Sequence, residues 1–325
     1  PAGPDSVIRV EDTDAEASPG RVVIYSDADR DRHIRPGGQD MQGGEEILRA
    51  GTTVGPGQMG LLFASGARTV QVHRRPRVAI LSNGDELVGP GNFQRVMAGK
   101  GIPETNGPTL AAAVRLAGGS PIQLGIARDQ APDILEKVER GRAEEADVLL
   151  TSGGASMGEG DLFKRVLEEA GLSLDFWRVK MRPGTPFSFG FLETEGSQSL
   201  PVFGLPGNPA SSFVTFQIFC RPFLLRLAGH SRVHRPVLEG VAGEPLSSPG
   251  HLTHFFRVRL EGDPVRPQVF LTGPQTSGLV LSQGLAQGLA VVPEGTSGID
   301  AGSPVRVILL DDFGLGGKEA GFLPA

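Results

Sequence analysis

Residues 152–161 read Ser152-Gly153-Gly154-Ala155-Ser156-Met157-Gly158-Glu159-Gly160-Asp161. Four glycines in ten positions let consecutive backbone N–H groups turn inward, and a helix starting just after them adds partial positive charge. That combination suits a phosphate or another oxyanion. Acidic residues crowd the neighbouring turns: Asp85 and Glu86 after Gly84, Asp129 after Arg128, and Glu159 and Asp161 within the glycine run. Five acids beside an anion cradle repel the ligand unless a cation intervenes. Mg²⁺, which takes one or two carboxylates together with phosphate oxygens, resolves the conflict. These five acids are the candidate metal ligands. Helix capping is the competing account of Asp129 and Asp161, but it leaves the Asp85-Glu86 pair unexplained. A third signal is the alternation Arg178-Val179-Lys180-Met181-Arg182. On one strand the three cations share a face, able to hold a second oxyanion.

These residues need a scaffold that brings them together. Short apolar runs at 77–82 (RVAILS), 122–127 and 147–152 (DVLLTS) alternate with helical patterns at 106–117, after Asp129, and at 161–170. Such alternation predicts a mainly parallel, three-layer α/β/α domain. A hairpin over 187–192 and 201–205 and a long helix over 210–228 complete it. In an open α/β sheet ligands bind outside the carboxyl ends of the strands. Those ends carry Asn83-Gly84-Asp85-Glu86, Arg128-Asp129, the glycine run, and Pro206-Gly207-Asn208. Gly84, Asp85, Ser152, Gly153, Gly154, Ser156, Gly158, Glu159, Pro206, Gly207 and Asn208 are accordingly the candidate ligand-binding residues. Before this domain, 1–44 reads as β-rich, with strands at 6–10 and 21–25, and 45–75 as a helical linking segment with a helix from Pro56. After it, 230–325 shows short strands broken by Pro and Gly, the pattern of a small β-barrel. The domain boundaries expected are 1–44, 45–75, 76–229 and 230–325.

Composition narrows the function classes. The 325 residues carry a net charge of −6 and a single cysteine, Cys220. An acidic chain argues against nucleic acid as a main partner. One cysteine excludes an internal disulfide framework and a cysteine-clustered metal site, and it fits a reducing cytoplasm. No apolar run approaches the roughly 20 residues of a membrane span. Two motif matches are weak. Gly55, Gly57 and Gly60 match a dinucleotide fingerprint, but no buried strand precedes them. Gly154 to Gly158 match Gly-x-Ser-x-Gly, yet the run is too long for a nucleophile elbow, which leaves a serine hydrolase as a minor alternative. His251-x-x-His254 lacks a nearby third ligand and reads as strand-edge histidines.

Taken together, VAILSNGDEL (78–87), NGPTLAAAVRLAG (106–118), GIARD (125–129), DVLLTSGGASMGEGD (147–161), FWRVKMRPGTPF (176–187) and PVFGLPGNPASSFVTF (201–216) closely resemble the molybdopterin molybdenumtransferases, the MoeA-type enzymes related to the E domain of gephyrin. The resemblance implies a central molybdopterin-binding domain. It also implies insertion of molybdate into adenylylated molybdopterin with release of AMP, assisted by Mg²⁺. By the same resemblance the protein is a cytoplasmic homodimer that can meet other molybdenum cofactor biosynthesis proteins, without nucleic acid or membrane. The family's functional acids match Asp40, Glu86, Asp129 and Asp161, and its basic positions match Arg178 and Arg182, where lysine is usual. Asn83 stands where the family usually has threonine, and Thr185 replaces a lysine. The family's opening segment, with its Asp-Gly-Tyr-Ala and Thr-Gly-Ala stretches, is expected to be missing here. A molybdopterin-binding scaffold without turnover is the alternative within the same resemblance.

Overall fold

The structure is a computed structural model and describes residues 3, 6–15, 20–153, 162–193 and 199–310. The chain forms two compact units, Pro1–Val70 and Gln71–Ala325. Among the described residues of the first, the expected strands do not form. Val10–Asp12 is a short 3₁₀ turn, and the β pairing there is one antiparallel bridge, Thr13 with Ile24. Asp14 and the buried Asp29 bind this segment instead: Asp14 accepts the Val23 N–H, and Asp29 accepts the Arg9 guanidinium at 2.9 Å. The Asp14 bond joins side chain to backbone, the kind that competes with ladders. The predicted helix is present as α1 (Pro56–Ala64), with Pro56 at its first position and the Gln58 amide oxygen accepting the Gly55 N–H.

The second unit begins with the α/β part. Its strands are β1 (Arg77–Asn83), β2 (Leu87–Val88), β3 (Ile102–Pro103), β4 (Ser120–Ala127), β5 (Val148–Ser152), β6 (Leu172–Trp177), β7 (Met181–Arg182), β8 (Ser188–Leu192) and β9 (Leu200–Leu205). Its helices are α2 (Phe93–Met97), α3 (Asn106–Leu116), α4 (Ala131–Ala143), α5 (Leu162–Glu169), α6 (Pro209–Thr215) and α7 (Arg221–Leu227). The main sheet has the order β4-β1-β5-β9-β8-β6. The first four strands run parallel, and β8 and β6 close one edge as antiparallel additions. Strands β1 and β5 are buried nearly throughout because helices cover both sheet faces. One face packs Val78, Ile80 and Leu150 against Leu110 and Val114 of α3 and Phe216. The other packs Ala79, Leu81 and Leu149 against Ile134 and Val138 of α4 and Phe163 and Leu167 of α5. The expected long helix at 210–228 is continuous from α6 to α7, through a π-helical stretch at Phe216–Cys220. Cys220 is fully buried there, and burial pushes its thiol pKa well up, so it acts as a core residue.

The remainder forms the predicted β-barrel. Its strands are β10 (Val237–Ala242), β11 (Leu246–Ser247), β12 (Thr253–Glu261), β13 (Gln268–Leu271), β14 (Gly288–Val292), β15 (Gly298–Ile299) and β16 (Pro304–Leu309), with a short helix α8 (Leu281–Gly284). The cycle β13-β10-β16-β14-β12 returns to β13, so five strands close on themselves. Closure removes the exposed edges. Phe256, Val258, Val269, Ala290, Val292 and Val307 fill the interior.

Candidate active site

The carboxyl ends of β1, β4, β5 and β9 meet in one cleft of about 920 Å³. Asn83, Gly84 and Glu86 after β1, Asp129 after β4, Ser152 and Gly153 after β5, and Pro206, Gly207 and Asn208 after β9 all line it. Nine of the residues named from sequence therefore stand at one wall, although they come from loops more than 120 positions apart.

Each is held by a specific contact. Gly153 has φ +88, and a Cβ there would lie 2.3 Å from the Asn83 carbonyl oxygen, so only glycine lets β5 pass so close to the end of β1. Gly84 has φ +147, and the Glu86 carboxylate folds back to within 2.5 Å of where its Cβ would stand. Asp129 does not cap a helix, contrary to one expectation: Asp133 takes the Arg128 N–H at 2.6 Å, and Gln130 holds the cap position of α4. The carboxylate of Asp129 instead accepts the Asn83 side-chain amide at 2.9 Å, while its backbone N–H donates to Asp85 at 3.3 Å. Asp85 is thus oriented toward the β4 turn, and its carbonyl accepts Arg128 at 3.1 Å.

Sequence reasoning passed over several lining residues. The Asn106 amide donates to Ser152 Oγ at 2.6 Å and to the Gly207 carbonyl at 2.7 Å, tying three of the loops together. Glu104 accepts Ser82 Oγ at 2.9 Å and the Gly107 N–H at 2.6 Å. Both lie at the start of α3, where the sequence pattern shows only a helix over 106–117. Asn106-Gly107-Pro108 opening the helix was the available signal. Gly278 and Val280 reach the cleft from the barrel part, a long-range approach that no local pattern announces. Arg257 secures their loop. It is fully buried, donates Nε to Ser282 Oγ at 2.8 Å and reaches the Thr276 carbonyl at 3.4 Å. Burial lowers its pKa to about 10, which leaves it charged at neutral pH.

The cationic row needs correction. Arg178, Lys180 and Arg182 are all exposed and Met181 is buried, as alternation requires, but they do not share a strand. β6 stops at Trp177, Arg178 adopts φ +75, and β7 holds only Met181 and Arg182. The Met181 N–H bonds back to Val179, and the Val179 N–H to Thr185, so the chain turns between the cations. Lys180 pairs with Glu294 at 3.0 Å, Arg178 lies over Trp177, and Arg182 pairs in register with His254 of β12. Gly154, Ser156, Gly158, Glu159 and Asp161 lie outside the described residues, and Asp40 belongs to the other unit. Among the described residues no three His, Cys, Asp or Glu side chains converge as a ready metal site. His251 and His254 do not pair: His254 is buried and stacked on Phe256 at 3.8 Å. No described helix is long and apolar enough to cross a membrane.

Known proteins resemble this chain in sequence and fold. The family model of the MoeA N-terminal region (domain I and II) matches residues 1–66, the probable molybdopterin binding domain matches 79–226, and the MoeA C-terminal region (domain IV) matches 239–310. The chain is 32% identical over 313 residues to the molybdopterin molybdenumtransferase of Nostoc sp., spanning 95% of this chain and 70% of that one. It is 33% identical over 312 residues to molybdopterin molybdenumtransferase 2 of Mycobacterium tuberculosis, spanning 94% and 74%. The crystal structure of the molybdopterin biosynthesis MoeA protein from Pyrococcus horikosii matches with a TM-score of 0.74 at 32% identity, over 95% of this chain and 72% of that one. With agreement of this kind along nearly all of its length, the chain belongs to the molybdopterin molybdenumtransferase family, the transferases of molybdenum cofactor biosynthesis.

Proposed function

We propose that this protein inserts molybdate into adenylylated molybdopterin and releases AMP. The observation that carries the reading is the convergence of Glu86, Asp129, Ser152, Gly153 and Gly207 on one cleft at the strand carboxyl ends. In this reading residues 76–229 form the catalytic module and 230–325 supply a wall of its cleft. The pterin-bearing nucleotide lies along the cleft, with its phosphates toward Gly153 and the glycine run that includes Gly154, Ser156 and Gly158. The close backbone approach at Gly153 and the Asn106 bridge hold the Ser152–Gly153 and Gly207 side of the cleft in shape before ligand arrives, which lowers the ordering cost on binding.

Mg²⁺ fits the donors present. Glu86 and Asp129 are exposed carboxylates on one cleft, and an ion held by one or two carboxylates plus substrate phosphate needs no third protein ligand. Asp161 is the further ligand in this proposal, with Glu159 beside it. When bound, the ion neutralises phosphate charge at the bond that releases AMP. Asn83 keeps one oxygen of Asp129 occupied and leaves the other free for this duty. Arg178 and Arg182 attract the molybdate oxyanion. The working protein is a homodimer in the cytoplasm.

The test is AMP release from adenylylated molybdopterin, with molybdate and Mg²⁺ supplied. The wild type turns over, Asp161→Ala loses roughly two or more decades, and Ser156→Ala retains partial activity, down about 10- to 150-fold for one lost hydrogen bond to a charged group. A wild type that binds the nucleotide without releasing AMP is a scaffold. A covalent Ser156 adduct with complete loss in Ser156→Ala makes it a hydrolase.

A further inference from the structure

Trp177 is the last residue of the edge strand β6, in register with Ser188 of β8. Arg178 then leaves the strand with φ +75, a left-handed backbone that residues with side chains seldom adopt. Its N–H donates to the Phe187 carbonyl at 2.9 Å, which pins the turn. The Arg178 guanidinium carbon lies 4.2 Å from the centroid of the Trp177 ring, and Lys164 Nζ lies 5.5 Å from the same centroid. Lys164 has a carboxylate partner, Glu168, at 3.5 Å. Among the described residues the Arg178 side chain has no hydrogen bond and no ion pair. Phe163 and Pro186, the chain neighbours of Lys164 and Phe187, line the cleft.

An unusual backbone and an aromatic platform thus hold one guanidinium just past the end of β6, with its donors uncommitted among the described residues. Stacking engages the face of a guanidinium and leaves its N–H groups, which lie in the plane, free for an anion. Strained backbone of this kind persists where the surrounding structure enforces it, and it clusters at ligand clamps. We infer that Trp177 is a positioning residue, which holds Arg178 over its ring so that the guanidinium edge receives a tetrahedral oxyanion of the reaction, molybdate or phosphate. The inference rests on the anion-binding reading of Arg178 above and adds the group that makes Arg178 competent. It also gives a reason for arginine at this position: an ammonium has no planar face to stack with its donors free.

The full chain is titrated with sodium molybdate in one arm and AMP in the other, by calorimetry and by the emission of Trp177, the sole tryptophan. Trp177→Leu is expected to weaken the engaged anion about 2- to 5-fold, the range of a partly exposed cation–π contact. Trp177→Phe should fall between, with thermal melting unchanged, and it serves as the reference if the leucine variant folds poorly. In an Arg178→Gln background, Trp177→Leu should cause no further loss. Wild-type emission should change on adding the anion that binds. Equal affinity of wild type and Trp177→Leu for both anions overturns the inference, as does a full Trp177→Leu effect without Arg178. A wild type that takes neither anion instead defeats the anion-binding reading of Arg178, and the inference falls with it.

Discussion

Gly153 and Gly84 both line the cleft and fail differently when given a side chain. At Gly153 a methyl group meets backbone, the Asn83 carbonyl oxygen at 2.3 Å, and φ is +88. Backbone cannot yield without moving β1, and a left-handed alanine costs roughly 1–3 kcal/mol in addition. Gly153→Ala should therefore lower the melting temperature by several degrees and remove AMP release. At Gly84 φ is +147, so a side chain is strained there too, but the methyl group meets only the far end of Glu86, a flexible carboxylate that can swing away. Gly84→Ala should then cost stability through the strained backbone alone, less than Gly153→Ala, and lower AMP release with a larger Mg²⁺ requirement as its kinetic signature. Parallel melting and Mg²⁺ titrations of the two variants separate these outcomes, and equal thermal losses refute the distinction. Asn106→Ala leaves the Gly207 carbonyl and Ser152 without their shared donor. Leaving one buried polar group unpaired costs about 1–3 kcal/mol, measurable as a shift in denaturant midpoint.

Elements position the site through contacts that secondary-structure pattern does not contain. Strands β1, β5 and β9 were legible because continuous apolar runs bounded by turns describe strands buried on both faces. The cationic segment was misread because period-2 alternation of charge and apolar residues is also what a turning edge segment shows when one side packs on the core. Met181 and Val179 pack inward on Val214 and Phe219, and that packing is compatible with the break at Arg178. The loop carrying Gly278 and Val280 depends on Arg257, whose guanidinium is buried with no carboxylate partner among the described residues. Arg257→Leu should loosen this loop and the adjoining cleft wall while the barrel core, built from Phe256, Val258 and their neighbours, stays folded. Hydrogen exchange should report faster amides at 273–280 and unchanged protection in β14 and β16. Loss of protection throughout the barrel shows that Arg257 supports the domain itself.

For the whole molecule, acid stability should follow His254. Burial first, then the charges of Arg182 and Arg257, lowers its pKa to about 4 from 6.5. The unfolded chain therefore takes up a proton near pH 6.5 that the folded protein refuses until about pH 4. The contribution is complete above pH 6.5 and is lost as pH falls through that window, reaching roughly 2–3 kcal/mol at its lower end. Denaturant melts at pH 7 and pH 4.5 should show a smaller difference in His254→Gln than in wild type, and identical differences exclude His254 as the source.

The succession of buried strands and helices, the barrel after it, and the loops that carry chemistry were all readable along the chain, because burial period, turn residues and glycine runs are local properties. So was the grouping of Gly84, Glu86, Asp129, Ser152 and Gly207, since parallel strands put their carboxyl ends on one side whatever their order. Tertiary structure alone decided the rest. It gave Asp129 to Asn83 instead of to a helix cap, and it set Arg178 on Trp177 instead of in a row with Arg182. It also brought Asn106 across to Gly207 and Gly278 into the cleft. Each of these depends on which side chain lies nearest in space once the sheet has formed, and separation along the chain carries no record of that distance.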